Sequence, residues 1–102
     1  MLNVSKGQMG GVPMVSNPWG AQNVILQELL TLARSDAQLT QKQLASLLDK
    51  PQSYVSKYES GERRLTLPEI RKVVIACGTD LSSFVFLYEK ELSLVEGNNE
   101  HK

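Results

Sequence analysis

Pro51 stands between two short apolar clusters, Leu44, Leu47 and Leu48 before it and Val55 and Tyr58 after it, and its position constrains the fold more than any other residue. A helix cannot run through proline except in its first turn, because the ring removes a donor and clashes with the carbonyl four residues back. The two clusters must therefore lie on separate short helices, with Asp49 and Lys50 in the turn between them. Gly61, Pro68 and Gly78 divide the rest of the chain in the same way. The glycines suit the left-handed position just past a helix end, and the proline suits the first turn of the next helix. Thr40 lies three residues before Gln43, the spacing of a capping box, and so marks the start of the helix ahead of Pro51.

The remaining apolar residues recur at helical spacing. Ile25, Leu29 and Leu32, with Leu26, Leu30 and Ala33 beside them, predict a first helix over 23–35 with a wide apolar stripe. Ile70, Val73, Val74 and Cys77 predict a fourth helix. Asp80 caps a fifth from Leu81 to about Leu92, with Leu81, Phe84, Val85, Tyr88 and Leu92 on its apolar side. No alternating run marks a β-hairpin, so the expected fold is all-α, a compact five-helix domain over residues 23–92. Residues 1–22 hold Gly7, Gly10, Gly11, Pro13, Pro18 and Gly20 and no period, which reads as a disordered N-terminal arm. Trp19 in that arm either packs on the edge of the domain or contacts DNA or a partner. Residues 93–102 read as a polar, frayed tail.

Several function classes are disfavoured at this level. No stretch reaches the ~20 apolar residues of a membrane span, and the N-terminus lacks the apolar core of a secretory signal. The expected location is the cytoplasm. Cys77 is the only cysteine and His101 the only histidine, so no disulfide or metal set is legible. No nucleophile–base set or phosphate-cradling glycine loop is present, and neither catalysis nor a cofactor is expected. The net charge is zero, which by itself argues against nucleic acid. The charge is nevertheless segregated: between Thr40 and Lys72 seven cations face four acids, while Glu89, Glu91, Glu96 and Glu100 lie near the C-terminus.

The most informative stretch is Thr40 to Gly61. Two short helices joined by a tight turn cross steeply, and Ala45 supplies a small side chain where their backbones approach. Val55 then packs back on Leu44 and Leu48. That arrangement leaves the second helix one outward face of Gln52, Ser53, Ser56 and Lys57. These amide, hydroxyl and ammonium groups are the kinds of side chain that read base edges in a major groove.

With Thr-Gln-x-x-Leu-Ala from Thr40 and Gln-Ser-x-Val-Ser-x-x-Glu-x-Gly from Gln52, the stretch resembles the lambda-repressor-like, or Xre/Cro-type, helix-turn-helix regulators. The resemblance runs from about Leu26 to Leu81. It implies that Gln52, Ser53 and Lys57 contact bases, with Gln52 favouring adenine, and that Ser56 reaches either a base or only the backbone. It implies phosphate contacts for Thr40 and Gln41 at the start of the first motif helix, and for Ser60, Arg63 and Arg64 after the second. Lys50 either reaches phosphate or is a solvated lysine, and Tyr54 stands between base-facing and core-facing positions, able to lean on sugar-phosphate. Arg34 and Glu59 look like a structural ion pair rather than DNA contacts. The chain departs from the family where Asp49 takes the usual glycine of the turn, a site that needs a positive φ, and where Pro51 replaces a hydroxyl cap.

The resemblance also implies double-stranded DNA with a near-palindromic operator and a homodimer; the apolar surplus of the C-terminal helix places the interface at Phe84, Phe86, Leu87 and Leu92, the alternative being that this helix simply closes the core, above all at Phe84 and Tyr88. A toxin is a further candidate partner. A stand-alone repressor, an antitoxin and a restriction-modification controller all fit. The rival class is a protein-interaction module on the same scaffold, which should carry exposed apolar groups where this chain has Gln52, Ser53, Ser56 and Lys57.

Overall fold

In the computed structural model, which describes the backbone of residues 18–100 and the side chains of residues 20–96, five helices follow one another. They are α1 (Pro18–Asp36), α2 (Gln41–Leu47), α3 (Gln52–Ser60), α4 (Leu67–Ala76) and α5 (Leu81–Glu100). The part of the expected arm over residues 1–17, the Trp19 side chain and His101 lie outside the described residues.

The helix starts follow from local chemistry. The Thr40 hydroxyl accepts from the Gln43 amide at 3.0 Å while Gln43 Oε1 accepts from the Thr40 amide at 2.8 Å, a complete capping box. Thr66 and Glu69 form a second one at the head of α4. The Asp80 carboxylate accepts from the Ser83 amide at 2.8 Å and starts α5. Between α2 and α3, Asp49 adopts φ 59°, and the Lys50 amide donates to the Ala45 carbonyl at 2.9 Å to close the turn. Gly61 ends α3 in the left-handed region at φ 88°. A β-carbon there would come within 2.6 Å of Gln27 Nε2 on α1. Glycine is thus favoured by the left-handed backbone, whereas the end of the flexible Gln27 side chain could swing aside.

Every helix contributes to one core: Leu30, Leu44, Ala45, Val55, Tyr58, Val73, Val74 and Phe84. Leu44, Val55, Val73 and Val74 are wholly enclosed. α1 and α5 pack along each other, and the Tyr88 hydroxyl donates to the Gln22 carbonyl at 3.3 Å. None of the described helices is long and apolar enough to cross a membrane.

Four expectations need correction. α1 begins at Pro18, five residues before the predicted Asn23, so residues 18–22 are helical rather than part of an arm. Proline is compatible with a first helical turn, where its missing donor has no partner to lose. α5 continues past Leu92 to Glu100, so residues 93–100 are helix and not tail; no proline interrupts them. Leu32 and Leu47 were read into apolar faces but are 48% and 61% exposed, because the buried stripes are narrower than the run of leucines. On α5, Phe84 and Leu92 are 4% and 7% exposed and serve the interior of the protomer, which removes them from any interface with a second chain. The apolar groups left in solvent there are Val85, Phe86, Leu87 and Leu94.

Candidate nucleic-acid interface

α3 is short and held at both ends. Pro51 occupies the N-cap with φ −71° and Gly61 the C-cap. Val55 and Tyr58 face the core, so helical geometry turns Gln52, Ser53, Lys57 and Ser60 outward, and all four are exposed. Ser56 is half-buried and its hydroxyl donates to the Ser53 carbonyl at 3.3 Å. The Ser60 hydroxyl donates to the Lys57 carbonyl at 3.0 Å and accepts from the Glu62 amide at 3.3 Å, so it shapes the loop that follows α3.

A chain of hydrogen bonds joins α1 to the outward face of α3. Arg34 grips Glu59 with two parallel bonds, Nε to Oε2 at 2.7 Å and Nη2 to Oε1 at 3.0 Å, and its Nη1 donates to the Leu39 carbonyl at 2.8 Å. The two side chains are 17% and 7% exposed, so the pair is largely shielded from water. Hydrogen bonding to Glu59 raises the Arg34 pKa above its ordinary value, against the opposing effect of burial. Glu59 Oε1 also accepts from Gln41 Nε2 at 3.0 Å. That bond leaves Gln41 Oε1 to accept from Gln52 Nε2 at 3.4 Å. A carboxylate can only accept, so Glu59 fixes which way the Gln41 amide points, and Gln41 in turn biases Gln52. Gln41 belongs to this network as well as to the first turn of α2. The Thr40 hydroxyl accepts within the capping box, and its proton remains available outward.

The cations around α3 are not equivalent. Arg63 Nη2 donates to Glu69 Oε2 at 2.9 Å, and its guanidinium lies 4.8 Å from the centroid of the Tyr54 ring. Lys50 Nζ lies 5.3 Å from the same centroid. Tyr54 is half-buried and meets Tyr58 edge-on at 5.7 Å, and burial pushes its phenol pKa upward. The Thr66 amide, and then the Arg63 charge, hold the Glu69 carboxyl below the usual carboxylate range. Arg64 is exposed and takes part in no ion pair among the described residues. Lys42, Ser46, Asp49, Lys50 and Gln52 border an open hollow of about 460 Å³ beside the start of α3. The Tyr58 hydroxyl is buried without a hydrogen-bond partner among the described residues, and burial raises its pKa so far that it stays a neutral phenol.

Glu69 was not singled out from the sequence, although Thr66 and Glu69 repeat the spacing that identified Thr40 and Gln43. The candidate DNA-contacting residues come from consecutive parts of the chain: the start of α2, the turn, α3 and the loop after it, with Arg34 joining them from α1.

Chemically, this surface offers hydrogen-bonding groups without formal charge at its centre and cations at its ends. The family profile described as Helix-turn-helix matches residues 32–84, which include every candidate contact residue. A solved structure described as an XRE-family like protein from Pseudomonas syringae pv. tomato str. DC3000 is similar at 38% identity and a TM-score of 0.70. The similarity covers 78% of this chain and 98% of that one. No curated protein matches. The profile spans more than half of the sequence and the similar structure is 38% identical over nearly its whole length, so the chain belongs to the Xre-type helix-turn-helix family of DNA-binding transcription regulators.

Proposed function

We propose that the protein is a sequence-specific regulator that reads the major groove of double-stranded DNA with α3, and acts by occupancy as a repressor or autoregulator. The observation that carries this reading is the exposed row Gln52, Ser53 and Lys57, with Gln52 tethered to Gln41 and Lys50, Arg63 and Arg64 beside it. Gln52, Ser53 and Lys57 touch bases in this reading. Ser56, half-buried and bonded to its own helix, contributes at most a backbone contact. Thr40, Gln41, Lys50, Ser60, Arg63 and Arg64 set the register on phosphates, which carry no sequence information themselves. The rival interaction module is disfavoured because that surface carries no large apolar side chain.

One recognition helix reads too few base pairs to find a site among ~10⁶–10⁹ competitors. A two-fold dimer doubles the information and places two helices about 34 Å apart on a near-palindrome. Phe86 and Leu94, with Lys90 between them at four-residue steps, share one side of α5, and Leu87 lies two turns from Leu94. They are exposed by 66%, 59% and 46% for Phe86, Leu94 and Leu87 respectively, a large apolar group for one chain to leave in water. A second copy covers them in the proposed assembly. In an antitoxin, a toxin would be a further partner.

Selecting bound fragments from random DNA tests the reading. The expected result is an enriched motif with two-fold symmetry that loses its preference at one base pair per half-site in Gln52→Ala. Failure to enrich any sequence at modest ionic strength overturns it.

A further inference from the structure

The cluster of Lys50, Tyr54, Arg63 and Glu69 carries an inference about how two of the phosphate-facing cations are held. Lys50 comes from the turn before α3 and Arg63 from the loop after it, yet both sit on one aromatic ring, at 5.3 and 4.8 Å from its centroid. Both distances lie within the roughly 6 Å at which a ring face attracts a cation. Arg63 is further restrained by its 2.9 Å bond to Glu69, whose carboxylate is itself fixed by the Thr66 amide at 2.8 Å. The Arg63 amide donates to the Lys57 carbonyl at 3.1 Å, so the loop backbone is held as well.

We propose that Tyr54 is a positioning residue, whose ring holds Lys50 and Arg63 together as a two-cation clamp for one stretch of DNA backbone, with Glu69 setting the rotation of the guanidinium. Glu69 engages Nη2 and leaves the Nε and Nη1 donors of Arg63 for phosphate oxygens. Two long cationic side chains on a solvent surface lose much rotamer freedom when they bind. A platform that orders them beforehand lowers that loss. The ring does this with its face, because the Tyr54 hydroxyl makes no hydrogen bond among the described residues. This changes the role expected of Tyr54 from a contact to a support, and it rests on the DNA-binding reading above.

The test measures the full chain against a fluorescein-labelled duplex of arbitrary sequence, because phosphate contacts do not require the operator. Affinity is followed as a function of salt for Tyr54→Phe, Tyr54→Met, Arg63→Met and the Tyr54→Met/Arg63→Met pair. Thermal denaturation confirms folding, and Tyr54→Leu replaces Tyr54→Met should the latter not fold. Tyr54→Phe should bind like the wild type. Tyr54→Met should bind about three- to tenfold more weakly, with the salt slope nearly unchanged because no cation is lost. In the Arg63→Met background the same Tyr54 change should cost markedly less. The side-chain methylene protons of Lys50 and Arg63 should also lose their ring-current shifts in Tyr54→Met, a readout that needs no DNA. Equal losses in both backgrounds, or a Phe variant as weak as Met, overturn the clamp while leaving DNA binding intact. A wild-type chain that ignores the duplex at low salt overturns both.

Discussion

α3 and α5 each turn a face to solvent, and the two faces are made of opposite materials. On α3 the outward groups are amide, hydroxyl and ammonium, and the first of them is tied through Gln41 to the Arg34–Glu59 pair. On α5 the outward groups include Phe86, Leu87 and Leu94, with no hydrogen-bonded order imposed on them. Water satisfies the α3 face at little cost, so its order must come from the protein. The α5 face is poorly matched to water, so a partner surface is enough to order it. In the proposed reading, exposure has two meanings here: one face is suited to a charged, hydrated duplex, and the other to another apolar surface.

The sharpest way to break this contrast is to cut the network behind α3. Glu59→Ala leaves Arg34 without its carboxylate in a shielded site and should cost about 3 kcal/mol or more of stability, measured by urea denaturation. Phe86→Ser, by contrast, should leave the stability of the monomer within about 0.5 kcal/mol. Comparable losses in the two variants would erase the distinction. Association should respond in the opposite sense. Phe86→Lys combined with Leu94→Lys should weaken self-association by at least about 2 kcal/mol, seen by sedimentation, and should lower affinity for a palindrome far more than for a half-site. A dimer that survives both charges would move the interface off α5.

Smaller effects sharpen the α3 side. Gln52→Ala should remove about 1–3 kcal/mol of discrimination at one base pair without unfolding the domain, as read by competition between single-base variants of the selected motif. The smallest effect is on pH dependence. The Glu69 carboxyl is held low chiefly by the Thr66 amide and then by Arg63, and the Asp80 carboxyl by the Ser83 amide and its neighbouring hydroxyls. Both are more acidic folded than unfolded, so their stabilisation is complete above the ordinary carboxylate range and fades as pH falls through the folded values. Glu69→Gln should flatten the acid limb of a plot of stability against pH; an unchanged limb would remove Glu69 from that role.

Much of the architecture was legible because punctuation is a local property. Pro51, Gly61 and Gly78 act through their own backbones, and the resemblance, which puts glycine at this point of the turn, marks Asp49 as a positive-φ site, where it adopts φ 59°. The ends of the chain were less legible. Pro18 and Gly20 resemble loop residues, yet α1 begins at Pro18, and the packing of α1 along α5 is not visible in a single strand of sequence. On α5 the helical spacing already placed Phe84 and Leu92 on the core side, as their burial shows; what stayed hidden in the nearly continuous apolar run was that this burial withdraws them from an interface and that Val85 is left partly in solvent. In the candidate interface, residue types were readable one at a time, whereas the links from Glu59 to Gln41 to Gln52, and from Arg63 to Tyr54 and Glu69, join residues from different elements.

Because α3 commits Val55 and Tyr58 to the interior and Gln52, Ser53 and Lys57 to the outside, the positions that anchor it and those proposed to address a target are different residues. Retargeting is then a modular problem. The outer row can be exchanged to redirect the chain to new sequences while the scaffold beneath is inherited unchanged, provided that a replacement at residue 52 still finds a companion in Gln41.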